Sequence, residues 1–246
     1  MTACHFVLLA GGSGSRLGGG VPKQFRELAG LPVLAHSLRS FGQWSRDGGV
    51  VIVSREDYLD RARALLAEHL PDRKKARPQA VVAGGPTRHQ STLRGVEAAL
   101  NFAKDDDVLF LHDAARPCLT GAELDALARA FREHESCNLA SLVSPLTDTI
   151  VRGVSGEDRI PLFRNRLERS ELFAVKTPQA SRVSAVKELI KIPESDSFTD
   201  LLSWGEAASI PGFLIEASPY NHKLTTPEDY GLLEFYLKIC TSEKSI

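Results

Sequence analysis

Little in this sequence marks it for an oxidising compartment, a membrane or a nucleic acid. Its four cysteines, Cys4, Cys118, Cys137 and Cys240, lie far apart. They have neither the C-x-x-C spacing of a metal or redox motif nor the density of a disulfide framework. A reduced, cytoplasmic protein is the expectation. An excess of one charge is missing too: thirty Lys and Arg face thirty-one Asp and Glu, for a formal net charge of −1. No nucleic-acid or membrane footprint therefore shows at the level of the whole chain, and cations that matter must be concentrated locally. No apolar run approaches the length of a membrane span. Met1-Thr2-Ala3-Cys4 enters the first predicted strand at once, which leaves no room for a signal peptide. Internal repeats, long linkers and low-complexity tracts are also lacking. What remains is an ordinary globular composition, 43% hydrophobic over 246 residues, enough for one α/β domain spanning 1–246.

The stretch from Leu8 to Phe25 organises the chain. An apolar run, Phe6 to Ala10, feeds into a loop holding six glycines and then two cations, Arg16 and Lys23. Glycines remove the Cβ atoms that keep a ligand away from backbone amides. Successive amides in such a loop form an anion-binding concavity, and Arg16 and Lys23 add full positive charge. Two better-known loops are excluded. The G-x-x-x-x-G-K-[ST] loop needs glycine directly before its lysine, but Lys23 sits between Pro22 and Gln24. The dinucleotide fingerprint fails because Leu17 occupies the place of its third glycine. Gly18 to Gly20 and Pro22 also argue against a helix starting inside the loop. By composition the loop is either a polyphosphate cradle or a charged surface turn. Its place at the end of a predicted strand points to a ligand.

Downstream, Leu34, Leu38 and Phe41 have the spacing of a buried helix face, and Val50 to Ser54 is a β-branched second strand. Residues 56–70 read as a helix with Leu59, Ala62, Leu65, Leu66 and Leu70 on one side, closed by a solvated basic run, Arg73 to Arg77. Ala80 to Ala83 forms a third strand and runs into Gly84-Gly85-Pro86-Thr87-Arg88-His89-Gln90-Ser91. Thr87 with Gln90 is a capping-box signature for a helix whose stripe is Leu93, Val96 and Leu100. Ser91 and the Gly84 and Gly85 amides either read a base edge or cap that helix. Val108 to Leu111 is a buried strand ending in His112-Asp113-Ala114-Ala115-Arg116-Pro117. Strands alternating with helices predict a mostly parallel sheet with right-handed crossovers, and ligands of such sheets bind beyond the carboxyl ends of strands. Asp113 at that edge suits a Mg2+ or ribose ligand and Arg116 a phosphate clamp. The alternative is that the two pair and merely fix the turn. His112 is expected to be packed and hydrogen-bonded rather than a catalytic base.

Residues 120–134 read as a helix and Leu139 to Val143 as a strand. The region 145–175 differs: Thr147 to Gly153 and Ile160 to Leu167 predict an extended hairpin arm with a polar tip at Ser155-Gly156-Glu157-Asp158. Exposed β-branched edges tend to pair, so the arm predicts dimerisation. A helix at 181–191, another from Phe198-Thr199-Asp200, a strand at Phe213 to Glu216 and a short strand at Asn221 to Thr225 follow. Thr226-Pro227-Glu228-Asp229 starts the closing helix, expected to bury Leu232, Leu233, Phe235, Tyr236 and Ile239.

Taken together, Ala10-Gly-Gly-Ser-Gly-Ser-Arg16, Pro22-Lys-Gln-Phe25, Gly84-Gly85 with Arg88 and Ser91, His112-Asp-Ala-Ala-Arg-Pro117, Thr177-Pro-Gln179, Thr199-Asp200 and Asn221-His-Lys-Leu-Thr225 resemble the cytidylyltransferases that act on 2-C-methyl-D-erythritol 4-phosphate in non-mevalonate isoprenoid synthesis. These pieces run in family order over nearly the whole chain. The resemblance implies an α/β, three-layer Rossmann-like nucleotidyltransferase fold with a mixed, mostly parallel sheet and a protruding β-arm at about 145–170 that joins a homodimer. It implies CTP and a polyol phosphate as substrates, and Mg2+ or another divalent cation. By position, Arg16, Lys23 and Lys223 would be catalytic. Ala10, Gly11, Gly12, Gly14, Gly84, Gly85, Ser91, Asp113 and Ala115 would hold the nucleotide, with Asp113 also organising the metal. Asp113, Arg116, Thr177 and Lys223 would contact the acceptor, and Thr149 and Arg169 would reach it across the dimer.

The chemistry agrees with that assignment. A phosphate monoester has a second pKa of about 6 and is mostly dianionic at neutral pH, so the nucleophile needs no general base. Catalysis reduces to aligning two anions and neutralising charge on the transferring phosphorus. The chain departs from the family pattern near the acceptor, at Tyr220, His222, Leu201 and Leu202. Within the resemblance, related cytidylyltransferases that take ribitol 5-phosphate supply the alternative acceptor, and Ala114-Ala115, where that group tends to carry Ser-Val, implies methylerythritol phosphate instead. A non-catalytic nucleotide-binding module is the alternative outside enzymes, against which Arg16, Lys23, Asp113 and Lys223 speak. A dehydrogenase stands further off, given the failed fingerprint.

Overall fold

A computed structural model describes residues 2–12, 20–45, 48–70, 77–155, 160–193, 195 and 198–242. The chain opens with β1 (Cys4–Ala10), and a small antiparallel pair, β2 (Glu27–Leu28) and β3 (Leu31–Pro32), leads into α1 (Val33–Trp44). Strand and helix then alternate through β4 (Val50–Ser54), α2 (Leu59–His69), β5 (Gln79–Ala83), α3 (Arg88–Leu100), β6 (Val108–Asp113), α4 (Gly121–Glu133) and β7 (Leu139–Pro145). A hairpin, β8 (Val151–Val154) and β9 (Leu162–Arg166), precedes β10 (Phe173–Arg182). The chain ends with α5 (Val183–Leu189), α6 (Leu201–Ala207), β11 (Gly212–Glu216) and α7 (Asp229–Ser242).

Seven strands form the central sheet in the order β11-β7-β10-β6-β1-β4-β5. All neighbours run parallel except β10, which lies antiparallel between β6 and β7. Alternation along the strands divides the core. Phe6, Leu8, Ile52 and Phe110 face α1, α2 and α4, where Leu38, Phe41, Leu65 and Leu127 are fully or almost fully buried. Val7, Val53, Leu109 and Leu111 face α3, α5 and α6, packing with Val96, Val186 and Trp204. The result is a three-layer sandwich whose sheet is mostly parallel, as strand–helix alternation predicts, and mixed, as the family resemblance implies. β8 and β9 pair only with each other, and their described residues are exposed, including Val151, Leu162 and Phe163. Residues 156–158 of the predicted hairpin tip, and 73–76 of the basic run, lie outside the described residues. Among the described residues no helix is long and apolar enough to cross a membrane.

Two expectations are corrected. Asn221 to Thr225 is not a strand but an irregular crossing. Its backbone is spent on scattered partners, Leu224 N donating to Ala115 O at 2.8 Å and Asn221 N to Ser218 O at 3.0 Å, rather than on a ladder. In α7 only one face is covered: Leu233, Leu237 and Cys240 pack with Leu28, Ala115 and Leu224, while Leu232 and Phe235 are exposed. That helix begins at Asp229, two residues after the proline, because Thr226 to Glu228 form a turn capped by the Asp229 carboxylate, which accepts from Thr225 N at 2.6 Å and Thr226 N at 2.8 Å.

Candidate active site

The sheet's switch point lies beside β1, whose following strands occupy one side while β6 occupies the other. A cleft of about 540 Å³ opens there, at the carboxyl ends of β1 and β6 and the turn after β5. Gly11 and Gly12 extend from β1 into its wall and Ala10 is buried just before them. Gly14 and Arg16 lie outside the described residues. The chain returns through a 3-10 turn, Lys23–Phe25, which puts the half-buried Lys23 on the cleft, its Nζ donating to Leu224 O at 2.6 Å.

The second glycine turn closes on itself. Ser91 Oγ accepts from Gly85 N at 3.1 Å and donates to Gly85 O at 3.2 Å. Gly84 N donates to Ser54 O at 2.7 Å. A Cβ on Gly84 would lie 2.8 Å from Ser91 Oγ, and one on Gly85 2.4 Å from Gln90 Cβ, so this turn tolerates no side chain. Capping of α3 falls to Thr87, whose hydroxyl accepts from Gln90 N at 3.0 Å, which leaves Ser91 to the turn. Gly85 and Ser91 line the cleft, and Gly84 lines an adjoining recess together with Gly11.

Asp113, at the end of β6, carries the site's central charge. The alternative of a side-chain pair with Arg116 is not what forms: the two Asp113 oxygens accept from Arg88 (Oδ1, 3.0 Å) and Lys223 (Oδ2, 2.6 Å). Burial opposes ionisation of Asp113, but the Arg88 and Lys223 cations outweigh it and hold the carboxyl well below the usual carboxylate range. Arg88 also donates to Thr199 O at 2.6 Å and so ties α3 to the segment before α6. Ala115, Lys223, Arg88 and Thr225 complete this side of the cleft.

Arg116 and Thr177 are not on the cleft surface but buried beneath it. The register of β10 against β7 shifts between Val175 and Gln179, and Thr177, inside that shift, accepts Asp113 N on its hydroxyl at 3.1 Å. Arg116 donates to Asn221 O at 3.1 Å and Asn221 Oδ1 at 3.3 Å, and its Nε–H is buried without a partner among the described residues. Asn221 in turn donates to Thr177 O at 2.9 Å and Glu123 Oε1 at 2.8 Å. Thr149 and Arg169 are exposed near the hairpin and do not line this cleft; Arg169 donates to Thr147 O.

His112 is fully buried, within 3.1 Å of Thr177 Oγ1 and of Arg116 O. Burial pushes its pKa down to about 4, so it is neutral and structural at physiological pH, as expected of a packed histidine. An unfolded chain takes up the proton that the folded one refuses. Unfolding free energy should therefore fall as pH drops from 6.5 towards about 4, by about 3 kcal/mol in total. An NMR titration should find the His112 ring neutral at pH 5.5; a midpoint above pH 6 would contradict its assignment as an uncharged support.

The site also holds residues that the motifs alone did not assign. Arg88 stood in a motif, yet its bond to Asp113 spans 25 positions and had no local signal. Glu123 is buried and anchors the Asn221 crossing through Ser218 N, at 3.0 Å, and Asn221. Its trace in the sequence is the Thr120-x-x-Glu123 capping box that opens α4.

A cleft that offers bare amides and cations against a buried carboxylate suits a phosphorylated nucleotide and places the chain among α/β nucleotidyltransferases. Comparison with known proteins narrows the class. The sequence model for 2-C-methyl-D-erythritol 4-phosphate cytidylyltransferase, IspD, matches residues 4–239. The enzyme of that name from Leptospira borgpetersenii (strain JB197) is 34% identical over 232 residues, 94% of this chain and 92% of its own length. The one from Halalkalibacterium halodurans is 34% identical over 233 residues, 94% and 95% of the two chains. Among solved structures, a 4-diphosphocytidyl-2C-methyl-D-erythritol synthase superposes with a TM-score of 0.76 at 24% identity, covering 96% of this chain and 99% of its own. The synthase from Anaerococcus prevotii gives 0.72 at 21%, with the same coverage. These two likenesses establish the fold. The chain belongs to the 2-C-methyl-D-erythritol 4-phosphate cytidylyltransferase family and is a nucleotidyltransferase.

Proposed function

We propose that the chain joins CTP to 2-C-methyl-D-erythritol 4-phosphate and releases pyrophosphate. An oxygen of the acceptor phosphate bonds to the α-phosphorus of CTP as the bond from that phosphorus to the bridging oxygen of pyrophosphate breaks. The observation that carries this reading is the meeting of Lys23, Lys223 and the Gly11–Gly12 wall on one cleft, whose one carboxylate among the described residues, Asp113, is held by Arg88 and Lys223. Lys23 faces the triphosphate and, with Arg16, stabilises charge on the transferring phosphorus. Gly84, Gly85 and Ser91, whose donors are spent on Ser54 O and within the turn, meet the cytosine edge through their oxygens. Lys223, staying beside Asp113, also meets the acceptor phosphate, while Arg88 keeps Asp113 charged and in place. Arg116 and Thr177 act from below, holding Asp113 and the Asn221 crossing.

Among the described residues no three His, Cys, Asp or Glu side chains gather as a metal cluster. The single carboxylate of Asp113 fits Mg2+, which is commonly held by one or two carboxylates together with substrate phosphates. When bound, such an ion neutralises phosphate charge. The exposed Val151, Leu162 and Phe163 of the hairpin support its role as a homodimer arm, through which Thr149 and Arg169 would reach a partner's cleft. A cytoplasmic location accords with four free cysteines.

The test is a panel of polyol phosphates with CTP, ATP and UTP, read by pyrophosphate release with Mg2+ present. Release only with CTP plus methylerythritol phosphate is expected. Turnover with ribitol 5-phosphate alone would reassign the acceptor, and CTP binding without any turnover would leave a non-catalytic module.

A further inference from the structure

Gln24 follows the lysine that faces the cleft, yet its side chain turns inward and is 2% exposed. Its one amide group donates to two backbone carbonyls, Ala10 O and Gly12 O, the latter at 2.9 Å. Both lie where β1 runs out into the glycine loop. The Gly11 and Gly12 amides, by contrast, donate no hydrogen bond among the described residues. An anion-binding loop needs this division, because a carbonyl turned towards a phosphate repels it. In a trans peptide C=O and N–H point in opposite directions, so holding the Ala10 carbonyl turns the Gly11 amide, its partner in the same peptide, away from Gln24.

We infer that Gln24 is a positioning residue for polyphosphate binding: it sequesters the Ala10 and Gly12 carbonyls and leaves the Gly11 amide for the β- and γ-phosphates of the nucleotide. It also fixes the short turn from which Lys23 reaches the cleft. The inference rests on the nucleotide reading of this site but not on the identity of the base or the acceptor. Its ligand class is a polyphosphate.

The experiment compares Gln24→Glu, which keeps the shape but replaces the donor with an acceptor, and Gln24→Met, which keeps the length and removes polarity. Calorimetry with inorganic tripolyphosphate, CTP and CMP is run on the parent and on both variants. Both variants should bind tripolyphosphate and CTP at least about tenfold more weakly while CMP affinity changes by less than about threefold. A parallel loss for all three ligands, or none, overturns the inference. The unaltered chain supplies a second readout that does not depend on variant folding. The Gly11 amide resonance should shift on adding tripolyphosphate and stay in place with CMP, and an amide indifferent to tripolyphosphate also overturns it. Failure of the cytidylyltransferase reading looks different: the parent would bind tripolyphosphate normally yet release no pyrophosphate from CTP.

Discussion

Replacing Lys23 with methionine is expected to lower kcat/KM for CTP by about a thousandfold while leaving the fold intact. The methionine keeps the aliphatic stem, so the half-buried packing of residue 23 survives and the ammonium is lost. In the ligand-free chain that ammonium donates to Leu224 O at 2.6 Å, beside Lys223 in sequence. It therefore stands where the turn Lys23–Phe25 meets the crossing that carries Lys223. Its charge matters most as the α-phosphorus becomes crowded with negative oxygens. Two unit charges about 4 Å apart interact by about 4 kcal/mol at the effective dielectric of a protein surface. Removing one such partner from a preorganised site costs about 3–4 kcal/mol of transition-state stabilisation. Steady-state kinetics with thermal melting checks this, and a loss below about tenfold would remove Lys23 from the chemistry.

Lys223→Met is expected to fall mainly on the acceptor. Lys223 and Arg88 each hold one oxygen of Asp113. Without the lysine, Asp113 remains charged against Arg88 and turns an uncompensated carboxylate towards the incoming phosphate. The variant thus loses an attraction and gains a repulsion. kcat should drop by about a hundredfold or more, and KM for the polyol phosphate should rise by about tenfold. KM for CTP should move little. A loss confined to KM for CTP would instead place Lys223 on the nucleotide side. Initial-rate kinetics with each substrate varied in turn separates the two outcomes.

Much of this arrangement was legible before any coordinates. The β-branched run at Val50 to Ser54 and the apolar run at Val108 to Leu111 read as buried strands, and the glycines after Ala10 and Ala83 marked both walls of the cleft. The antiparallel course of β10 was hidden, because Phe173 to Arg182 pairs with β6 and β7 across long separations that leave no local period. Asn221 to Thr225 looked like a strand because Leu224 is apolar among polar neighbours; its conformation is set by Ala115, Glu123 and Arg116, all remote in sequence. The Asp113–Arg116 pair failed for a related reason. Proximity along the chain suggested it, but partners 25 and 110 positions away sit closer in space. Leu232 and Phe235 fit a helical stripe, yet α7 packs over one flank of the cleft only, and the remaining face meets water.

The central claim is that the acceptor's own phosphate is the nucleophile and no side chain removes a proton for it. The direct measurement is the pH dependence of kcat/KM for the acceptor, repeated with a phosphonate analogue of higher second pKa. The rate should rise with an apparent pKa of about 6 for the natural phosphate, and that limb should move upward with the analogue. A limb that stays in place when the acceptor's acidity changes would reveal a base on the protein and contradict the account.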